Sequence, residues 1–151
     1  MGMRRKAREL AVQTLYALEF AETDPVVGHL GWLNVYRDEL DNLAAEAGVE
    51  PDSRIIEFAV ELLESTLRHV DEIDGQIGEH ATNWSFDRIS PLDKSILRVG
   101  VNELQYTDTA PAIIINEAIE IGKKYSSENA GKFINGILNA VARENHGEDT
   151  L

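Results

Sequence analysis

Apolar side chains recur along this chain at steps of three and four, the spacing that gathers them on one face of an α-helix. Over residues 4–22 the stripe is Ala7, Ala11, Leu15 and Leu18, and Thr23-Asp24-Pro25 breaks it. A second stretch, 27–47, carries Leu30, Leu33, Leu40 and Leu43 with the aromatics Trp32 and Tyr36 and an acidic polar face. Gly48 reads as its C-cap, and Pro51 or Asp52 as the opening of the next helix. This third, long helix is predicted over 53–79, because Ile55, Ala59, Leu62, Leu63, Thr66, Val70, Ile73 and Ile77 keep one period.

The segment TNWSFDRIS is irregular or forms a single turn, the fourth element, and its Trp84 and Phe86 are expected to plug the core. Ser90-Pro91-Leu92-Asp93 then gives a helix start with Ser as N-cap, Pro at the first helical position and an acid two positions later. That fifth helix runs to 106 with Leu92, Ile96, Val99 and Leu104 inward, and TDTAP separates it from a sixth over 112–125. Ser127 reads as the N-cap of a last helix, 128–143, whose apolar positions include Phe133, Ile134, Ile137, Leu138 and Val141. No hairpin or βαβ pattern appears; AIIIN alone has strand chemistry, and its continuation through Ala118 and Ile119 favours a helix. The expected fold is all-α, six or seven helices packed as two small helical bundles. We read 1–151 as one domain, with subdomains 1–80 and 81–145 and a tail at 146–151.

Composition narrows the function classes. The absence of cysteine excludes disulfides, thiolate metal sites and a Cys nucleophile, and it suits a reducing cytosol. Glu9, Gln13 and Glu19 interrupt any signal-peptide core, and no apolar run is long enough to span a membrane, so the expected location is cytoplasmic. His29, His69, His80 and His146 form neither Glu-x-x-His nor His-x-x-x-His, and there is no Gly-rich phosphate loop or nucleophile elbow. His69 beside Asp71 and Glu72 reads as a solvated helix face. The expectation is no enzyme, no metal and no cofactor.

Charge changes the picture more. There are 27 Asp and Glu against 14 Lys and Arg, a net charge of −13, which argues against general nucleic-acid binding. The acids crowd 38–79, where only Arg54 and Arg68 oppose them. Yet the chain opens with Arg4, Arg5, Lys6 and Arg8, at a helix N-terminus where the macrodipole disfavours cations. One reading is contact with RNA or DNA, since arginine forks grip phosphates and stack on unpaired bases. The other is a solubilised, frayed helix end. Gln13 and Tyr16 extend the basic strip with an amide and an aromatic face, unless Tyr16 is the edge of the core. Lys94 and Arg98, four apart, either enlarge the basic surface or pair with nearby acids.

Three segments carry a resemblance: RRKARELAVQTLYALE at the start, LDKSILRVGVNEL at 92–104 and INEAIEIGKKYSSENAGKFINGILNAV at 115–141. Together they resemble the NusB family of bacterial transcription antitermination factors, most weakly over 25–80. The resemblance implies a helical, non-catalytic protein that pairs with NusE, a small-subunit ribosomal protein. The pair binds the single-stranded boxA element of nascent ribosomal RNA and, with other Nus factors, helps RNA polymerase resist termination. It implies that Arg4, Arg5, Lys6 and Arg8 belong to the family's Arg-rich RNA-binding motif. It places Asn116, Glu117 and Glu120, and Lys132, Phe133 and Asn135, in motifs near the partner surface. Asn116 and Asn135 have a structural alternative, bridging helices from inside, and Phe133 has one as core. The rival functions are a homodimeric or structural interaction module, or the accessory RNA-binding domain of an rRNA-modifying enzyme.

Overall fold

Ala7, Ala11, Leu15 and Leu18 are all buried in α1 (Gly2–Glu19), the stripe that the spacing predicts. The computed structural model describes residues 2–21, 28–81 and 85–146. The expectations for Thr23-Asp24-Pro25, Trp84 and the tail beyond His146 lie outside those residues. Two compact units make up the chain, residues 1–70 and 71–151. All described elements are helical, and no helix among them is long and apolar enough to cross a membrane.

In the first unit α1 packs on α2 (Trp32–Glu46) and α3 (Arg54–Arg68). α2 starts later than the periodicity predicts. Gly28 has φ +59°, outside the right-handed helical region, and Gly28–Gly31 forms a separate 3-10 turn that leaves Leu30 64% exposed. The inward stripe of α2 is consequently Trp32, Tyr36, Leu40 and Ala44, with Leu33 and Leu43 only half-buried. The helix ends as expected at Gly48, whose φ of +72° lets its own N–H reach the Ala45 carbonyl and the Val49 N–H the Ala44 carbonyl.

The long third helix expected from the periodicity is two helices, because His69 ends α3. Its backbone N–H turns back to the Thr66 carbonyl, while its ring Nδ1 takes the Ser65 carbonyl at 2.8 Å. The ring thus fills the place of the helical N–H. Ser53, rather than Pro51 or Asp52, caps α3, accepting from the Ile56 N–H.

The next helix, α4 (Val70–His80), buries Ile73 and Ile77, and the rest of the second unit is α5 (Pro91–Tyr106), α6 (Pro111–Tyr125) and α7 (Glu128–His146). Ser90 and Ser127 cap α5 and α7, accepting from the N–H groups of Asp93 and Ala130. α5, α6 and α7 pack on one another, and they bury Ile96, Leu97, Val101 and Leu104 of α5, Ile114 and Ile121 of α6, and Ile134, Leu138 and Val141 of α7. Gly100 permits the close approach: a Cβ there would lie 3.0 Å from a Leu138 methyl. Phe86 does not plug this core. It is half-buried in a short 3-10 turn, Phe86–Arg88, and Ile89 is the buried residue of that segment.

Candidate functional site

All four cations of the opening stretch lie in the first two turns of α1, whose first turn carries no acid. Helical geometry divides them. Positions four apart share a side, whereas positions two apart lie nearly opposite. Arg4 and Arg8 face α3, with guanidinium carbons 5.2 and 5.6 Å from the centroid of the Phe58 ring. Lys6 is on the other side, so the cations are not the single strip the sequence suggests. Arg4 is exposed, Arg5 and Lys6 are half-buried, and Arg8 is only 4% exposed. Beside the Phe58 ring a cleft of about 380 Å³ is lined by Met3, Arg4, Arg54, Glu57, Phe58 and Glu61. Phe58 is not singled out by the sequence, where the period of the third helix passes through Ile55, Ala59 and Leu62 instead.

Along α1, Lys6 and Gln13 lie seven apart with Tyr16 near Gln13, and Phe20 follows in the turn after the helix. Gln13 is half-buried. Tyr16 is 41% exposed and meets Phe20 edge-on, with centroids 5.0 Å apart and planes at 69°. Tyr16 is therefore a surface aromatic rather than the edge of the core. Phe20, 65% exposed in the turn after α1, is not among the candidates the sequence singled out.

In the second unit the motif residues of α6 separate in the same manner. Asn116 is exposed and Glu120 half-buried on the face that also shows Ile113, whereas Glu117 is 8% exposed and points inward. On α7, Lys132 and Asn135 are exposed, and the Asn135 side-chain oxygen accepts from Asn139 Nδ2 at 2.7 Å. Neither Asn116 nor Asn135 bridges helices from inside. Phe133 is half-buried rather than core. It lines a cleft of about 430 Å³ with Arg88, Ile89, Ser90, Asp93 and Asn129, where the capped N-termini of α5 and α7 converge.

Lys94 and Arg98 have different roles. Lys94 lies 4.6 Å from the Phe86 centroid and is half-buried, whereas Arg98 is buried and forks onto Asp74 of α4. The fold also brings Glu144 to the adjacent Glu79 and His80, with ligand-type atoms of all three within 4.8 Å of one another. His80 Nε2 and Glu144 Oε2 lie 2.6 Å apart, pinning the end of α4 to α7. In the first unit the buried Tyr36 hydroxyl donates to Glu64 at 2.9 Å. Burial first, and then that carboxylate, push the Tyr36 pKa up to about 12. Tyr106, which donates to Glu72, is raised by the same causes.

The sequence profile of the NusB family matches residues 5–143. The transcription antitermination protein NusB of Thermodesulfovibrio yellowstonii is 39% identical over 142 residues, covering 93% of this chain and 92% of that protein. Its counterpart in Myxococcus xanthus is 40% identical over 144 residues, covering 94% and 96%. Among solved structures, antitermination factors NusB and NusE in complex with double-stranded RNA include a chain similar at TM-score 0.79, with 28% identity over 95% of this chain and 98% of that one. NusB of T. maritima is similar at TM-score 0.78, with 30% identity over 97% and 95%.

Proposed function

The chain belongs to the NusB family, and from that premise we propose that it is a non-enzymatic antitermination adaptor. With NusE it binds the boxA element of nascent ribosomal RNA, and together with other Nus factors it helps RNA polymerase resist termination. It acts in the cytoplasm. The observation that carries the reading is the concentration of Arg4, Arg5 and Lys6 at the start of α1 in a chain of net charge −13. Such a distribution confines phosphate to one place and repels it elsewhere.

Within this reading Arg4, Arg5 and Lys6 meet phosphates, and Gln13 and Tyr16 offer an amide and a ring to unpaired bases farther along α1. Arg8 supports them from a buried position. On α6 and α7, Asn116, Glu120, Lys132, Phe133 and Asn135 serve the partner, while Glu117 acts through the fold. The acidic surface complements a basic ribosomal protein. The rival reading, an accessory domain of an rRNA-modifying enzyme, gains nothing from the relatives: they are stand-alone antitermination proteins matched over nearly their whole length.

Fluorescence anisotropy with a labelled boxA RNA, read with and without NusE, tests the proposal. Tighter binding by the pair than by either protein alone, lost on a scrambled RNA, is the expected result. Equal binding of boxA and scrambled RNA by the pair sinks it.

A further inference from the structure

The contact between α1 and α3 bears on how the basic start is held. Arg4 and Arg8 are one turn apart on α1, and both guanidinium carbons lie over the Phe58 ring of α3. The two differ in exposure: Arg8 is 4% exposed and Arg4 is open to solvent. Glu57 and Glu61 line the same cleft as Arg4 and Phe58. A carboxylate that captured Arg4 would occupy the N–H donors a phosphate needs. An aromatic face holds a guanidinium through the ring quadrupole and leaves those in-plane donors available.

We infer that Phe58 is a positioning residue for RNA binding: its ring, clamped by the buried Arg8, holds Arg4 in place with its phosphate-binding edge free. The inference rests on the RNA-binding reading above and adds to it a residue on a different helix, outside the basic motif. It also gives Arg8 a part other than phosphate contact. A long arginine side chain loses rotamer freedom when it binds, and one already held on a ring loses less. The benefit appears in affinity without adding a phosphate contact.

The test uses the full chain with NusE and a labelled boxA RNA, comparing Phe58→Leu, Phe58→Tyr, Arg4→Ala and the double variant Phe58→Leu/Arg4→Ala. Phe58→Leu keeps an apolar side chain and removes the ring; its dissociation constant rises about three- to fivefold. Phe58→Tyr restores the ring face and stays within about twofold of the parent. The slope of log affinity against log salt is unchanged in Phe58→Leu, because the same phosphates are met, but falls by about 0.7 in Arg4→Ala. The double variant binds no more weakly than Arg4→Ala alone. If Phe58→Leu loses helicity, Phe58→Met provides the same comparison. Parental affinity in the ring-less variant while Arg4→Ala weakens binding overturns the inference, as does a Phe58→Tyr protein as weak as Phe58→Leu. If neither Arg4→Ala nor combined loss of Arg4, Arg5 and Lys6 affects the RNA, the RNA-binding reading itself has failed.

Discussion

Arg98 on α5 and Asp74 on α4 form a two-pronged ion pair, Nε to Oδ1 at 2.7 Å and Nη2 to Oδ2 at 2.8 Å. Arg98 is 1% exposed and Asp74 13%, so each needs the other once water is excluded. Removing one partner leaves a buried charge and costs about 3–5 kcal/mol, more than the pair itself contributes. Arg98→Met should lower the unfolding free energy read from urea titration by that amount, and Arg98→Met combined with Asp74→Leu should recover part of it. A single variant as stable as the parent would show that the pair is not needed to hold α4.

Stability at high pH should follow Tyr36. Its folded pKa of about 12 lies above the ordinary 10, so the folded state retains the phenol proton longer than the unfolded chain. Its contribution is complete below pH 10 and is lost as pH rises through about 12. Tyr36→Phe, which also loses the bond to Glu64, should be less stable at pH 8 by about 1.5 kcal/mol. Denaturant titrations of both proteins at intervals from pH 8 to pH 12 should show that gap closing as pH rises.

Burial separates two neighbouring glutamates that the sequence placed in one motif. Glu120→Lys alters a half-exposed position on the Asn116 face and should weaken NusE association with little change in melting temperature. Glu117→Lys puts a cation at a position 8% exposed and should reduce stability first. Phe133→Ala, at the mouth of its cleft, belongs with Glu120→Lys. Calorimetric titration with NusE, alongside thermal unfolding, distinguishes the two outcomes.

Local chemistry made much of the fold legible. Ser90-Pro91 and Ser127 announced two helix starts, Gly48 announced a helix end, and the α1 stripe was correct at each of its four positions. What the pattern could not show depends on partners distant in sequence or on side chains replacing backbone. The α3–α4 break is a histidine ring taking a carbonyl, inside an apolar period that continues unbroken through Val70, Ile73 and Ile77. Arg8 and Arg98 look like surface cations until Phe58 and Asp74 arrive from other helices. At the candidate site the cations were visible, but their division between two sides of α1 was not, because that depends on which side packs on α3.

Tyr16 should contribute through its ring. It is 41% exposed beside Phe20, and stacking of one unpaired base on such a ring is worth about 1–3 kcal/mol. Tyr16→Ala should therefore weaken boxA binding by roughly tenfold while Tyr16→Phe stays near the parent. Because no phosphate contact is lost, the salt dependence should not move. Equal loss in both variants would point to the hydroxyl instead of the ring.

The salt dependence of boxA binding by the NusE complex tests the central claim most directly, measured for the parent and for Arg4→Ala/Arg5→Ala/Lys6→Ala. Each phosphate contact to a single strand contributes about 0.7 to the slope of log affinity against log salt. The triple variant should retain its helicity, lose affinity most at low salt and have a slope shallower by about 2. A folded triple variant with the parental affinity and slope would contradict the account, because phosphate would then be held somewhere other than the start of α1.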